Sequence, residues 1–96
     1  MFNGIIFNTG RVVSIKKNIN SILIYIETKL KFSKREIGES VSCNGVCLTL
    51  VETKNKVIKF YISKETLRRS NFKTLKKNQI INLEKSLTYG KKISGH

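Results

Sequence analysis

The chain has 96 residues, a hydrophobic fraction of 40% and a formal net charge of +13, because 19 lysines and arginines outweigh six acidic residues. This length allows one small domain with a single core, spanning residues 1–96. No apolar run is long enough for a membrane-spanning helix, and the first residues lack the basic start and apolar centre of a signal peptide. We therefore expect a cytoplasmic protein with no membrane partner.

The excess of positive charge admits two interpretations. Clustered lysines and arginines favour nucleic-acid binding, because neutralised phosphates release counterions. However, the chain is also rich in Ile and Asn and contains no Ala, Pro or Trp, a composition that AT-rich codons produce without selection for charge. The basic residues are also scattered along predicted turns. We expect no nucleic-acid partner, with electrostatic steering of anionic ligands as a weaker alternative.

Most of the chain is predicted to form short strands. β-branched and aromatic residues, bounded by Asn, Gly, Ser or Lys, predict strands in residues 11–17, 21–30, 56–63 and 79–87. Helical turns are predicted from Ser33 to Gly38, with a serine cap and a glycine end, and in residues 63–70. About six strands with regularly spaced turn signals predict an antiparallel barrel.

The stretch "SVSCNGVCLTL", residues 40–50, predicts a β-hairpin. Asn-Gly between alternating residues is the strongest short hairpin signal, since a type I′ turn needs positive φ at both central residues. A turn at Asn44 and Gly45 pairs Cys43 with Val46 and fixes the rest of the register. Paired residues share a face of the sheet. One face is then apolar (Val41, Cys43, Val46, Leu48, Leu50), and the other carries small polar side chains (Ser40, Ser42, Cys47, Thr49).

The polar face leaves room for a flat molecule, because a solvent-facing surface of this lysine-rich chain would be expected to carry Lys or Glu. The alternative is a polar patch packed under a loop. The two cysteines point to opposite faces, so an intact hairpin excludes a disulfide between them. One C-x-x-x-C pair with a lone His96 makes neither a plausible zinc site nor a Cys–His nucleophile. We expect two free thiols, Cys43 buried and Cys47 lining a groove.

Several stretches resemble the riboflavin synthase alpha-chain family. The start "MFNGII" is similar to the family's "MFTGI", and the hairpin is similar to "SVAVNGVCLTV". The run "SKETLRRSN", residues 63–71, resembles "SPETLRRTN", and "INLEKSLTYGKKISGH" resembles "VNLERALRLGDRLGGH". These matches occur in the family's order and spacing over nearly the whole chain. The chain departs from the family where "LKKNQ" replaces "LKPGD", which removes a turn glycine.

The resemblance implies an all-β fold, a six-stranded antiparallel Greek-key barrel with short helical segments. A family subunit carries two such barrels and assembles as a trimer, with each active site between the N-terminal barrel of one subunit and the C-terminal barrel of another. This chain matches the N-terminal barrel and reaches the first Gly-His motif. A second barrel is expected either to follow in a longer protein or to have been lost.

The resemblance also implies an activity. The family dismutates two molecules of 6,7-dimethyl-8-ribityllumazine into riboflavin and 5-amino-6-ribitylaminouracil, and it needs no metal or redox cofactor. The protein mainly holds two flat substrates in opposed register. A sequence without a catalytic triad or a set of metal ligands agrees with such a reaction.

The matched motifs imply the site residues. The substrate-binding positions are Gly4, Ile5, Ile6, Ser40, Cys47, Leu48, Thr49, Tyr61, Ile62, Ser63, Lys64, Glu65 and Thr66. The catalytic candidates are Cys47, as a thiol that assists proton transfer or as a small filler, and Phe2, as an aromatic that closes the site or as a core residue. Glu65 is either an acid or base or, as its place in "SKETL" favours, a helix-capping carboxylate.

Three functions stay open on the sequence. The first is a riboflavin synthase domain. In this hypothesis the isolated barrel binds lumazine, and a dimer of barrels replaces the two-barrel subunit. The isolated barrel then turns over slowly or not at all. The second is a non-catalytic lumazine or flavin carrier, since such carriers share this barrel. The third is a basic barrel that binds RNA. The aromatic residues argue against this function, because they show no interleaved stacking array of the kind that such proteins use.

Overall fold

Six antiparallel strands close into a barrel in the computed structural model, which describes residues 8–85. The predicted site residues Phe2, Gly4, Ile5 and Ile6 lie outside this range. The strands are β1 (Asn8–Lys17), β2 (Ser21–Thr28), β3 (Ser40–Cys43), β4 (Val46–Lys54), β5 (Val57–Ser63) and β6 (Ile80–Lys85). One α-helix, α1 (Lys64–Arg68), and two 3₁₀ helices, Lys34–Glu36 and Phe72–Thr74, lie in the connections.

The strand order around the barrel is β1-β2-β5-β4-β3-β6, and β6 pairs with β1 to close it. The chain therefore leaves β2, passes over two strands and enters the sheet again at β3. This order confirms the predicted antiparallel Greek-key barrel with short helical segments. Closure leaves no edge strand exposed, which is how a chain without proline avoids an open sheet edge.

Alternation along the strands places one apolar face of each strand inside the barrel. Most inward side chains are β-branched or aromatic, as a half-buried pleated surface favours, and the others are leucines and one cysteine. Each large side chain of this kind contributes about 1.5–3 kcal/mol on burial. The core residues are Val12, Ile22, Ile24, Ile26, Val41, Cys43, Leu48, Leu50, Ile58, Phe60, Ile62, Phe72, Ile81 and Leu83.

Gly10 stands where β1 passes closest to its neighbours. A Cβ atom at this position would lie 2.4 Å from Cγ2 of Ile26 and 3.1 Å from Cδ1 of Leu83. Every larger residue would therefore force the β1–β2 pair apart or displace core side chains. An isolated glycine inside a strand pattern marks this kind of close approach.

Three asparagines in turns of the barrel have a left-handed backbone conformation. Asn44, Asn55 and Asn78 have φ values of 51°, 57° and 76°, and asparagine tolerates this region better than other non-glycine residues. Asn78 belongs to the "LKKNQ" turn that lacks the family's glycine. Its side chain also accepts a hydrogen bond from Nη1 of Arg11 at 2.7 Å, so the asparagine supplies both the conformation and a contact to β1.

Both predicted helical turns are confirmed. In the first, the backbone N–H of Ser33 donates to Oε1 of Glu36 at 2.8 Å, and Gly38 ends the turn with a φ of 96°. In the second, Ser63 caps α1, because its Oγ accepts from the backbone N–H of Thr66 at 3.2 Å. Within residues 8–85, no helix has the length and apolar character needed to cross a bilayer.

Candidate ligand-binding site

The Asn-Gly hairpin has the register that the sequence predicted. Cys43 pairs with Val46 and Ser40 pairs with Thr49 across β3 and β4. Asn44 and Gly45 both have positive φ, as a type I′ turn requires. The turn is fixed further by β6, since the backbone N–H of Asn82 donates to Oδ1 of Asn44 at 2.7 Å. The apolar face of the hairpin lies in the core, as predicted.

The polar face of the hairpin lies on the outside of the barrel and continues onto β5. Thr49 pairs with Ser40 on one side and with Tyr61 on the other, so the three side chains form one row across three strands. Cys47 lies one step along β4 on the same face and is exposed. We call the surface formed by Ser40, Cys47, Thr49 and Tyr61 the ledge.

Ser42 departs from the predicted polar face. Its residue is only 7% exposed, although its neighbours on that face are open to solvent. Ser42 pairs with Cys47 of β4 on one side and with Glu84 of β6 on the other. The usable part of the ledge therefore lies toward β5 and not toward β6.

The described ladder between β4 and β5 ends beside the ledge, and we call the place beyond its last pair, between residues 47–48 and residues 62–63, the opening. The described ladder between β4 and β5 begins at the pair of Thr49 and Tyr61 and does not extend to Leu48 opposite Ile62 or to Cys47 opposite Ser63. The other edges of these residues are paired, β4 with β3 and β5 with β2. The backbone edges of residues 47–48 and 62–63 thus face the opening.

Leu48 and Ile62 are predicted site residues whose side chains point into the core, at 3% and 0% exposure. They can contact a bound molecule only through their backbone groups. Their buried side chains instead fix the position of the two strand edges that border the opening. A backbone held by packing in this way presents its N–H and C=O groups in a defined geometry.

The start of α1 borders the opening on the β5 side. The hydroxyl of Ser63 donates to Oγ1 of Thr66 at 3.1 Å, which leaves the Thr66 hydroxyl hydrogen free to donate elsewhere. Lys64 is exposed. Glu65 is not the predicted capping carboxylate: its Oε2 lies 2.7 Å from Nη2 of Arg69, one turn further along. The capping role belongs to Ser63 because Glu65 is one residue too early in the helix to reach back.

The two cysteines differ in environment. Both are free, Cys43 buried and Cys47 exposed, as the hairpin register predicted. Burial in the apolar core raises the pKa of the Cys43 thiol far above its ordinary range, and the nearby Cys47 adds to this. Cys43 is therefore a core filler, and Cys47 is the thiol that a bound molecule could touch.

The wider surface depressions in residues 8–85 lie away from the ledge. One of about 580 Å³ lies on the opposite wall and includes Thr9, Arg11 and Lys56. Another of about 630 Å³ lies beside the first 3₁₀ helix. The ledge is thus a shallow shelf next to an opening and not a closed cavity. In the same residues, no group of three His, Cys, Asp or Glu side chains could hold a metal ion.

The fold is a closed six-stranded antiparallel β-barrel with a polar ledge on the outside of β3, β4 and β5. The model of the lumazine-binding domain family matches residues 3–86 of the chain. The chain belongs to this family.

Among curated proteins, the chain is similar to the riboflavin synthases of Buchnera aphidicola subsp. Baizongia pistaciae, at 37% identity over 97 residues, and of Escherichia coli, at 35% over 98 residues. Each comparison covers all of this chain and 46% of the relative. The chain thus spans about half the length of these relatives.

Solved structures with the same fold include LumP complexed with flavin mononucleotide, with a TM-score of 0.75 and 26% identity over 93% of this chain and 51% of LumP. LumP complexed with 6,7-dimethyl-8-(1′-D-ribityl) lumazine gives a TM-score of 0.72 and 28% identity over 88% of this chain and 47% of LumP.

Proposed function

We propose that the chain is a lumazine-binding barrel of a riboflavin synthase, and that it binds 6,7-dimethyl-8-ribityllumazine on the ledge. The observation that carries the proposal is the row of Ser40, Thr49 and Tyr61 beside the opening between β4 and β5. We propose that a flat heterocycle lies on the ledge with one edge of its ring at the opening. Kinship with riboflavin synthases and with a lumazine-binding structure supports the same ligand.

The pyrimidine edge of the ligand presents an alternation of hydrogen-bond acceptors and a donor, as uracil does. The strand edges of residues 47–48 and 62–63 carry backbone N–H and C=O groups that can match this alternation. The free hydroxyl hydrogen of Thr66 adds one donor at the start of α1. The small side chains of Ser40 and Thr49 leave space for the ring and can hydrogen-bond the ribityl hydroxyls.

The proposed reaction is the dismutation of two lumazines, in which one molecule donates a four-carbon unit to the other. Riboflavin and 5-amino-6-ribitylaminouracil are the products. The reaction needs two substrates in opposed register, so most of the catalysis consists of orientation. One barrel offers one ledge, and the second must come from another barrel. We infer that residues 1–96 alone bind lumazine but form riboflavin slowly or not at all, unless two barrels associate.

Cys47 is the ledge residue with the reactive group. Its side chain is small and exposed, so its proposed part is to fill space and to hydrogen-bond weakly rather than to act as a base. Phe2 remains a proposed aromatic at the mouth of the site. We place the protein in the cytoplasm, where both thiols stay reduced.

A non-catalytic carrier is the second candidate. The observation that favours it is the likeness to LumP, whose structures hold riboflavin, flavin mononucleotide or lumazine. A carrier needs only one ledge, whereas the synthase needs two. The two candidates therefore share the ligand and differ in turnover.

A fluorescence titration with lumazine and with riboflavin tests the common part of the proposal. We expect saturable binding of one ligand per barrel, unchanged by an excess of single-stranded RNA. RNA that displaces the ligand, or the absence of saturable binding, would contradict it. A steady-state assay of riboflavin formation then separates the candidates: the synthase barrel gains activity when a second family barrel is added, and a carrier does not. Riboflavin formation by residues 1–96 alone, at the rate of a complete family enzyme, would contradict the proposal that one barrel supplies only one of the two ledges.

A further inference from the structure

Lys85, the last described residue of β6, reaches the loop between β2 and β3. Its Nζ lies 2.9 Å from Oε2 of Glu36 and donates to the backbone oxygen of Lys31 at 2.6 Å. The ammonium also lies 4.5 Å from the centre of the Phe32 ring. Oε1 of Glu36 is used as well, because it accepts from the backbone N–H of Ser33. We call the ion pair of Glu36 and Lys85 the clamp.

The clamp is better shielded from water than the ion pairs Arg11–Glu27, Glu52–Lys59 and Glu65–Arg69. Its side chains are 25% exposed for Lys85 and 11% exposed for Glu36. In each of the other pairs at least one side chain is about half exposed or more, and the pair of Arg11 and Glu27, at 43% and 47%, is typical. Exposed pairs contribute little, whereas removal of one partner from a shielded pair leaves a charge without compensation.

The clamp is connected to the ledge by short backbone contacts. The N–H of Glu39 donates to the oxygen of Glu36 at 2.9 Å, and the N–H of Leu50 donates to the oxygen of Glu39 at 3.0 Å. The N–H of Gly38 donates to the oxygen of Leu50 at 2.7 Å. Leu50 directly follows Thr49, the central residue of the ledge.

A second connection runs through the sheet itself. Lys85 pairs with Val41 across β6 and β3, and Val41 directly follows Ser40. The clamp thus holds the start of β3 from both directions, through the loop that precedes it and through the strand beside it. Ser40 sits at that start, where it pairs with Thr49.

We propose that Glu36 and Lys85 are positioning residues of the ligand site, because they hold the start of β3 so that Ser40 lies across from Thr49 on the ledge. The inference rests on the proposed function, since it concerns the same ledge. Neither residue touches the ligand. Binding sites lose affinity when the supporting contacts allow shifts of about half an ångström, and contacts of this kind act through connected networks.

The test compares four single variants of the full chain, and the double variant of Glu36→Gln with Lys85→Met, in the lumazine titration. Glu36→Gln and Lys85→Met remove the ion pair and keep the size of each side chain. Lys85→Arg keeps the pair. Glu27→Gln is the matched control, because it removes the exposed ion pair to Arg11 on the opposite wall. Circular dichroism establishes the conditions in which every variant is folded.

We expect Glu36→Gln and Lys85→Met each to weaken binding about fivefold, and the double variant to bind no worse than either, because both remove one interaction. Lys85→Arg and Glu27→Gln should bind as the wild type does. Wild-type affinity in Glu36→Gln and Lys85→Met would overturn the proposal. So would an equal loss in Glu27→Gln, because the effect would then reflect general destabilisation.

Amide hydrogen exchange separates a failure of this inference from a failure of the proposed function. If the wild type binds no lumazine, the proposed function fails, and the exchange of the Gly38 and Leu50 amides still decides the inference. Faster exchange of these amides in Glu36→Gln than in Glu27→Gln supports the clamp as the element that positions β3. Equal protection in the two variants overturns it.

Discussion

Thr49 pairs with Tyr61 at the point where the described ladder between β4 and β5 begins. Beyond this pair the described ladder does not continue to residues 47–48 of β4 and residues 62–63 of β5. The polar row of the ledge therefore ends at the opening, where backbone N–H and C=O groups of both strands are the candidates for hydrogen bonds to a ligand.

The first prediction concerns the centre of the ledge. Thr49→Val replaces the hydroxyl with a methyl group of similar size, so the barrel stays folded while one hydrogen bond to the ligand is lost. We expect lumazine binding to weaken about three- to tenfold, the effect of one net hydrogen bond. Thr9→Val is the matched control, because Thr9 is exposed on β1 and lies on the opposite wall. If both variants bind lumazine with the affinity of the wild type, the proposed location of the ligand on the ledge is contradicted.

The second prediction concerns the two thiols. In the native protein a disulfide reagent such as Ellman's reagent should modify one cysteine, Cys47, and leave Cys43 unmodified. Cys43 is buried, and burial raises the pKa of its thiol, so it offers neither access nor thiolate. Peptide mass spectrometry identifies the modified residue. Saturating lumazine should slow the reaction of Cys47, and an unchanged rate would show that the ligand lies elsewhere.

The third prediction concerns the close approach in β1. Gly10→Ala places a methyl group 2.4 Å from Cγ2 of Ile26, well inside contact distance. We expect a loss of about 1–3 kcal/mol in the free energy of unfolding, as overpacked cores show. Urea unfolding followed by circular dichroism measures this difference. A variant as stable as the wild type would mean that β1 and β2 are farther apart than described.

The fourth prediction concerns acid stability. Burial raises the pKa of the Glu36 carboxyl, but the hydrogen bonds from Lys85 and Ser33 outweigh it and hold the pKa below its ordinary range. Lys34 and Arg35 belong to the same 3₁₀ helix, and Glu39 follows it, with its backbone N–H donating to the oxygen of Glu36. A carboxyl with a lowered folded-state pKa stabilises the protein above its unfolded-state pKa, near 4, and this stabilisation disappears as the pH falls through the lowered value.

Glu36→Gln should therefore be less stable than the wild type by about 1.5–3 kcal/mol at neutral pH, the range for hydrogen bonds to a charged group. The difference should shrink as the pH falls below about 4. Urea unfolding of both proteins between neutral and acid pH measures it. A difference that stays constant over this range would contradict the role of the carboxylate charge.

Local patterns predicted much of the fold. Asn44 and Gly45 both tolerate the positive φ values of a tight turn, so these two adjacent residues fix where the hairpin turns. The hairpin register and the opposite faces of the two cysteines followed from the position of this turn. The four predicted strand segments match β1, β2, β5 and β6 because β-branched residues alternate in them. The alternation also predicted Ser40, Cys47 and Thr49 of the ledge, whereas Tyr61 was predicted only from the family resemblance.

Long-range contacts could not be predicted in this way. Arg11 meets Asn78 across 67 residues of sequence, and Lys85 meets the carbonyl of Lys31 across 54. The residues next to each partner in the sequence do not indicate which distant residue it will contact. The end of the ladder between β4 and β5 is also a tertiary feature, since both strands continue past their last described pair.

Nuclear magnetic resonance mapping of lumazine on the isotope-labelled chain tests the central claim most directly. The account predicts that the amide signals of Ser40, of residues 47–49 and of residues 62–66 shift together and saturate at one ligand per barrel. Saturation with the largest shifts at Thr9, Arg11 and Lys56, and with the ledge unchanged, would contradict it.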